Sequence, residues 1–162
     1  MTVPYLPAWP ELAATYGAPT LSLAAALAGG ANLVVIGQPG MGKTVALAHL
    51  ASQAANRSED LGDLREHVPF FHHVSELQGL ANERRPAMRR LLDLATHALP
   101  DSDAKKVENL VGSSFRSGRA LLLVDGFDEL TEEGQREISE FLQQVLEEHP
   151  RIQLVITGAP EY

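Results

Sequence analysis

One octapeptide, Gly37-Gln38-Pro39-Gly40-Met41-Gly42-Lys43-Thr44, matches the pattern G-x-x-x-x-G-K-[ST] at every position. The residues before it, Asn32 to Ile36, form a short apolar run with β-branched side chains, which is typical of a buried strand. The residues after it, Val45 to Ala54, are typical of a helix. The octapeptide is therefore predicted to connect the end of a strand to the first turn of a helix.

The chemistry of this connection suits the binding of phosphates. Unpaired backbone N–H groups and the positive end of the helix dipole attract anions, and glycines let the backbone approach them closely. Lys43 supplies a positive charge for the β and γ phosphates, and the Thr44 hydroxyl is placed to ligate Mg²⁺. The residues expected around the phosphates are Gly37, Gln38, Pro39, Gly40, Met41, Gly42, Lys43, Thr44 and Val45.

A second apolar strand ends in an acidic turn. The run ALLLV, residues 120–124, leads directly into DGFDEL, which begins at Asp125. Parallel strands present their C-terminal ends to one edge of a sheet, so we expect Asp125 to lie beside the octapeptide and to hold Mg²⁺ opposite Thr44. Asp128 and Glu129 follow the strand, and one of them is our candidate for the base that activates a water molecule.

The other periodic segments complete an α/β pattern. Strands are predicted at Val68–Val74 and Ile152–Ile156, and an exposed connection at Asn56–Glu66. Helices are predicted at Leu21–Ala28, within Glu83–Gly118 and after Thr131, which we expect to cap the last of these helices. Strands alternating with helices predict a three-layer, doubly wound parallel sheet of the phosphate-loop NTPase class. We expect residues 1–19 to be an extended linker, with a lid over the nucleotide base as the alternative, and residues 20–162 to be the nucleotide-binding domain.

Two side-chain clusters have a structural and a functional interpretation. His72 and His73 are adjacent in a predicted strand and point to opposite faces, so a shared metal ion is disfavoured. Four arginines recur on one predicted helix: Arg84, Arg85, Arg89 and Arg90. We expect a solvated helix face there; the alternative is a contact with the phosphates of a neighbouring protomer.

Length, net charge and composition limit the classes of protein to which this chain can belong. The chain has 162 residues, a net charge of -8 and no cysteine. This length fits one domain, the acidic balance argues against a nucleic-acid partner, and the lack of cysteine fits a reducing compartment. We see no signal peptide and no membrane span. The expected location is the cytoplasm.

Three motifs resemble those of the NACHT family of STAND NTPases, the regulatory ATPases related to AAA+ proteins. GQPGMGKT is similar to the family's G-x-P-G-x-G-K-[ST] loop, and LLLVDGFDEL to its second motif, with a small residue after the Mg²⁺ aspartate. LVITGAP loosely resembles the sensor strand that usually ends in T-S-R-P. The resemblance covers roughly Tyr5 to Tyr162.

The resemblance implies ATP or ADP with Mg²⁺ as cofactors, and slow hydrolysis that switches the protein between a closed and an assembled form. Its implied partners are other domains of a longer chain and, on activation, further copies forming a homo-oligomer. Lys43, Asp128 and Glu129 would be the catalytic residues, Asp125 and Thr44 the metal ligands, and Thr157 the sensor. The sensor strand should lie between the second-motif strand and the phosphate-loop strand.

The chain departs from the family pattern in two places. Ala159 stands where the family usually has an arginine that contacts the γ phosphate. The family also continues with a fifth strand, a helical domain and a winged helix, so we expect a core that is incomplete after the sensor strand. Both departures predict weak or absent turnover, and the second predicts an uncovered sheet edge at the phosphate-loop strand.

Other functions remain open from sequence. The fold can serve as an inert, nucleotide-stabilised interaction module, and GTP can replace ATP because no sequence feature selects the base. A AAA+ type motor is disfavoured by Gly126, since motors usually have glutamate directly after the metal aspartate. A small-molecule kinase is disfavoured because no arginine-rich lid follows.

Overall fold

A parallel sheet lies at the centre of the computed structural model, which describes residues 21–81 and 85–160. The predicted linker of residues 1–19 and Arg84 lie outside these described residues. Within them the sheet has four strands: β1 Leu33–Ile36, β2 Val68–His73, β3 Ala120–Asp125 and β4 Gln153–Gly158. Their order across the sheet is β1-β4-β3-β2, and all three pairings are parallel. The predicted position of the sensor strand, β4, between β3 and β1 is thus confirmed.

Helices connect these strands. The α-helices are α1 Leu23–Leu27, α2 Lys43–Ala55, α3 Val74–Ala81, α4 Ala87–Thr96, α5 Asp101–Ser117 and α6 Glu132–Glu148, and 3₁₀ turns span Glu59–Glu66 and Phe127–Glu129. Local sequence sets several of their ends. The Thr131 hydroxyl accepts the Gly134 N–H at the start of α6, as predicted. Gly29 and Gly30, both with positive φ, follow α1 and end it.

Apolar side chains pack on both faces of the sheet, and the side chains of strand β3 alternate between the two cores that they form. Ala120, Leu122 and Val124 pack in one core with residues of α3, α4, α5 and α6. Leu121 and Leu123 pack in a second core with α1, α2 and the first 3₁₀ turn. Every residue of β3 is therefore buried, as expected for a central strand of a parallel sheet. The predicted three-layer α/β architecture is confirmed.

Three local expectations were wrong. Residues 56–66 are more than an exposed connection, because Leu61 and Leu64 of the 3₁₀ turn are buried in the second core. Helix α3 was not predicted: its first residue, Val74, is buried and looked like the end of β2. Arg90 does not belong to a solvated helix face, since its side chain is 1% exposed.

In the part of the chain that the structure describes, β1 is an edge strand, as predicted, and the side chains on one of its faces are exposed. Its side chains alternate: Leu33 and Val35 pack against the second core, whereas Val34 and Ile36 are 66% and 62% exposed. Within the described residues no helix is long and apolar enough to cross a membrane.

Candidate functional site

The octapeptide forms a loop between the end of β1 and the start of α2, as its sequence pattern predicts. Gly40 and Gly42 have φ of +81° and +82°, a left-handed conformation that side chains disfavour. Gly42 is the residue directly before α2, and Lys43 is the first residue of the helix. The glycines thus allow the chain to turn sharply from strand to helix, with the helix N-terminus facing the loop.

The side chain of Lys43 folds back over this loop. Its Nζ donates hydrogen bonds to the carbonyl oxygens of Gly37 at 2.7 Å and Gln38 at 3.5 Å. The Met41 N–H donates to the Gln38 carbonyl at 3.2 Å and closes a turn within the loop. The side chains of Met41 and Val45 are largely exposed beside it. The loop therefore keeps its one ammonium group close to its own backbone.

Strand β4 contacts both the phosphate loop, which is the loop formed by the octapeptide, and the acidic turn that begins at Asp125. On one side, the Gly37 N–H donates to the carbonyl oxygen of Gly158 at 3.1 Å. On the other side, the Thr157 hydroxyl donates to Asp125 Oδ1 and accepts the Gly126 N–H at 3.0 Å. The C-terminal end of β4 consequently contacts both the phosphate loop and the acidic turn, which places them at the same edge of the sheet.

Asp125 is buried, and the neighbouring Thr157 side chain fixes the orientation of its carboxylate. Its side chain is at the end of β3, with the residue 5% exposed, and Thr157 beside it is fully buried. Burying a carboxylate is costly unless it is hydrogen-bonded, so the Thr157 hydroxyl stabilises Asp125 there. Thr157, the predicted sensor, therefore contacts the predicted metal ligand.

The two acids after β3 lie on different sides of the acidic turn. Asp128 lines a groove of about 520 Å³ with residues from the ends of β1 and β4. The lining residues are Val34, Ile36, Phe127, Asp128, Gln135, Gly158, Ala159 and Pro160. Asp128 Oδ1 is buried and has no hydrogen-bond partner among the described residues. This atom is available to accept a hydrogen bond from a ligand or a water molecule.

Glu129 faces the opposite side, toward strand β2. Its Oε2 lies 3.4 Å from Nε2 of His73, the last residue of β2. The neighbouring His72 pairs instead with Glu76 at 2.8 Å, so the two histidines point apart as their positions in a strand require. Of the two candidate bases, only Asp128 lies in the groove next to the phosphate-loop strand.

The residues at this edge fit a magnesium ion. Asp125, Asp128 and the exposed Thr44 offer carboxylate and hydroxyl oxygens, which are the hard donors that Mg²⁺ prefers. The described residues contain no group of three or more His, Asp or Glu side chains that could hold a metal ion alone. An ion here would complete its coordination with phosphate oxygens and water, as Mg²⁺ usually does at nucleotides.

Sequence reasoning missed two contributors to this edge. Gly158 acts through its backbone carbonyl, which no side-chain pattern reveals. His73 was considered only as a metal ligand, although it ends a strand that is parallel to β3 and level with Asp125. The rule that placed Asp125 at the strand ends also applies to His73 and could have found it.

Comparison with models of protein families gives a match over most of the chain. The family model of the NACHT domain matches residues 31–162. The match includes β1, the phosphate loop, the acidic turn and β4. Searches of curated proteins and of solved structures found no match.

Proposed function

The chain belongs to the NACHT family of nucleotide-binding NTPase domains, and on this premise we propose that it binds ATP with Mg²⁺ and hydrolyses it slowly. The observation that carries the proposal is the position of β4, whose end contacts Gly37 of the loop and, through Thr157, Asp125 of the acidic turn. A triphosphate at the loop would thus lie beside Asp125 at the end of β3.

We assign roles from these contacts. The N–H groups at the start of α2 and the Lys43 ammonium bind the phosphates. Thr44 and Asp125 would hold Mg²⁺, which would neutralise charge on the phosphate oxygens. In hydrolysis, a water oxygen attacks the γ phosphorus, the bond from that phosphorus to the bridging oxygen breaks, and Asp128 accepts the water proton.

Slow turnover follows from what surrounds the γ phosphate. Ala159 lines the groove beside Asp128 with a methyl group, where a guanidinium would stabilise the charge of the transition state. We propose that the domain acts as a nucleotide-controlled switch in a larger cytoplasmic signalling or defence protein. The exposed Val34 and Ile36 of β1 support contacts with other domains or with further copies of the chain.

The first experiment is a calorimetric titration with ATP and GTP, each with and without Mg²⁺. We expect ATP to bind, and Mg²⁺ to strengthen its binding. Lys43→Ala should weaken binding by about 100-fold or more, because it removes a charge-assisted contact to the phosphates. Lys105→Ala, an exposed lysine of α5, is the matched control and should bind as the wild type does. Unchanged affinity in Lys43→Ala would contradict the proposal.

Ala159 also favours a second candidate function, that of an interaction module stabilised by a nucleotide that it does not hydrolyse. Asp128→Asn separates the two functions. It should lower the hydrolysis rate by about 100-fold if Asp128 accepts the water proton. An inert module would instead bind ATP and produce no ADP, and the substitution would change neither its ATP binding nor its ADP production.

A further inference from the structure

We propose that His73 is a positioning residue that holds Glu129 on the β2 side of the strand ends and so withholds this acid from the hydrolysis reaction. The proposal rests on the function proposed above. It assigns different roles to the two acids that follow β3, and it gives His73 a role other than metal binding.

The tautomer of His73 follows from its neighbours. The Ser75 N–H donates to His73 Nδ1 at 3.4 Å, and a backbone N–H can only donate, so Nδ1 is the acceptor atom of the ring. The Ser75 hydroxyl lies 2.8 Å from the same atom, and with Nδ1 as the acceptor this hydroxyl is the donor. In the neutral ring the proton therefore resides on Nε2, which lies 3.4 Å from Glu129 Oε2. The ring thus presents a donor to the carboxylate.

Gly126 makes room for this pair. A Cβ atom at position 126 would lie 2.5 Å from His73 Nε2 and 3.3 Å from Glu129 Oε1. Any side chain there would displace the imidazole and crowd the carboxylate. The small residue that follows Asp125 thus permits a specific contact between β2 and the acidic turn.

The pair keeps Glu129 away from the phosphate loop. His73 belongs to β2, at the edge of the sheet opposite to β1, which leads into the loop. Asp128 lines the groove at the ends of β1 and β4, next to Ile36 and Gly158. With Glu129 paired to His73, Asp128 is the acid on the loop side. Because the side chain of Glu129 is 64% exposed, it is free to turn once His73 is removed.

The test is single-turnover hydrolysis of γ-³²P-labelled ATP with excess protein. His73→Ala should raise the rate by about tenfold, because a second carboxylate becomes able to position the water. ATP affinity should be unchanged, which separates this effect from a change in binding. His73→Asn should give the same rise, since its side chain is too short to reach Glu129. His73→Gln should keep the low rate, because its amide nitrogen can replace Nε2.

Two further variants make the test specific. In a Glu129→Gln background, His73→Ala should have no effect, because the released side chain is no longer an acid. His72→Ala is the matched control and should not change the rate, since His72 pairs with Glu76. Thermal melting of each variant checks that it is folded.

Several outcomes would overturn the proposal. These are an unchanged or lower rate in both His73→Ala and His73→Asn, a rise that persists with Glu129→Gln, or no hydrolysis in any variant that binds ATP. Failure of the wild-type chain to bind ATP would overturn the proposed function itself, and the role of His73 with it.

Discussion

At the end of β4 the hydroxyl group of Thr157 holds the Asp125 carboxylate in place. Thr157 is fully buried, donates to Asp125 and accepts the Gly126 N–H. A hydroxyl has one proton to donate, and here it is directed at the carboxylate. We therefore expect Thr157 to affect a bound nucleotide through Asp125, by fixing the orientation of that carboxylate.

Replacing this hydroxyl tests the arrangement. Thr157→Val keeps the shape but leaves the Asp125 carboxylate and the Gly126 N–H without their partner. We expect the free energy of unfolding to fall by about 1–3 kcal/mol, measured by urea denaturation, and the enhancement of ATP binding by Mg²⁺ to weaken. Thr157→Ser retains the hydroxyl and is the control. Equal stability of the valine variant and the wild type would show that the hydroxyl does not stabilise Asp125.

At the scale of the secondary-structure elements, the buried side chain of Arg90 connects three helices on one face of the sheet. Arg90 of α4 donates to the carbonyl oxygens of Leu80 and Ala81 at the end of α3, at 2.8 and 2.9 Å. It also donates to Gln144 of α6 at 2.6 Å and lies over the ring of Phe141, 4.6 Å from its centroid. The carbonyls that end a helix lack partners within it, so Arg90 satisfies two of them. The helix dipole also favours a positive charge there.

Removal of Arg90 should therefore be costly. We expect Arg90→Ala to lower the free energy of unfolding by about 3 kcal/mol, from a cavity and unpaired carbonyls together. Arg89→Ala is the matched control: Arg89 belongs to the same helix, but its pairs with Asp93 and Glu108 are exposed to solvent, so its loss should cost less than about 1 kcal/mol. Urea denaturation measures both. Similar losses for the two variants would contradict the structural role of Arg90.

At the scale of the whole molecule, stability should depend on a histidine far from the site. His67 lies between the first 3₁₀ turn and β2, and its Nδ1 has no hydrogen-bond partner among the described residues. Burial lowers the pKa of His67 below its ordinary value of 6.5, because desolvation disfavours the charged ring. The positive charge of Arg119 lowers this pKa further, whereas the nearby backbone of Asp63 and Leu64 and the negative charge of Asp63 oppose the shift.

The sign of the pH effect follows from linkage. Below pH 6.5 the unfolded chain binds a proton at His67 that the folded chain does not, so stability falls as the pH decreases toward the lowered pKa. Urea denaturation between about pH 7.5 and 5.5 should show this loss, a range in which most carboxylates stay ionised. His67→Gln should reduce the slope, and His97→Gln, an exposed histidine, should not. Identical slopes in all three proteins would contradict the assignment to His67.

The sequence alone determined the parts of this molecule that depend on local chemistry. A glycine-rich octapeptide between a strand and a helix, an apolar strand ending in Asp125, and the cap at Thr131 each follow from short-range rules, and each was predicted at its place. The α/β class followed from the alternation of these elements.

Only the tertiary structure decided how the site is assembled. Contacts between residues distant in sequence set the direction of Asp128 and Glu129, the pairing of Glu129 with His73, the use of the Thr157 hydroxyl and the burial of Arg90. These outcomes depend on which strands become neighbours and which helix ends meet. The residue type of a charged or polar side chain does not show whether that side chain lies in water or in the core. Its role can therefore be assigned only when its partners are known.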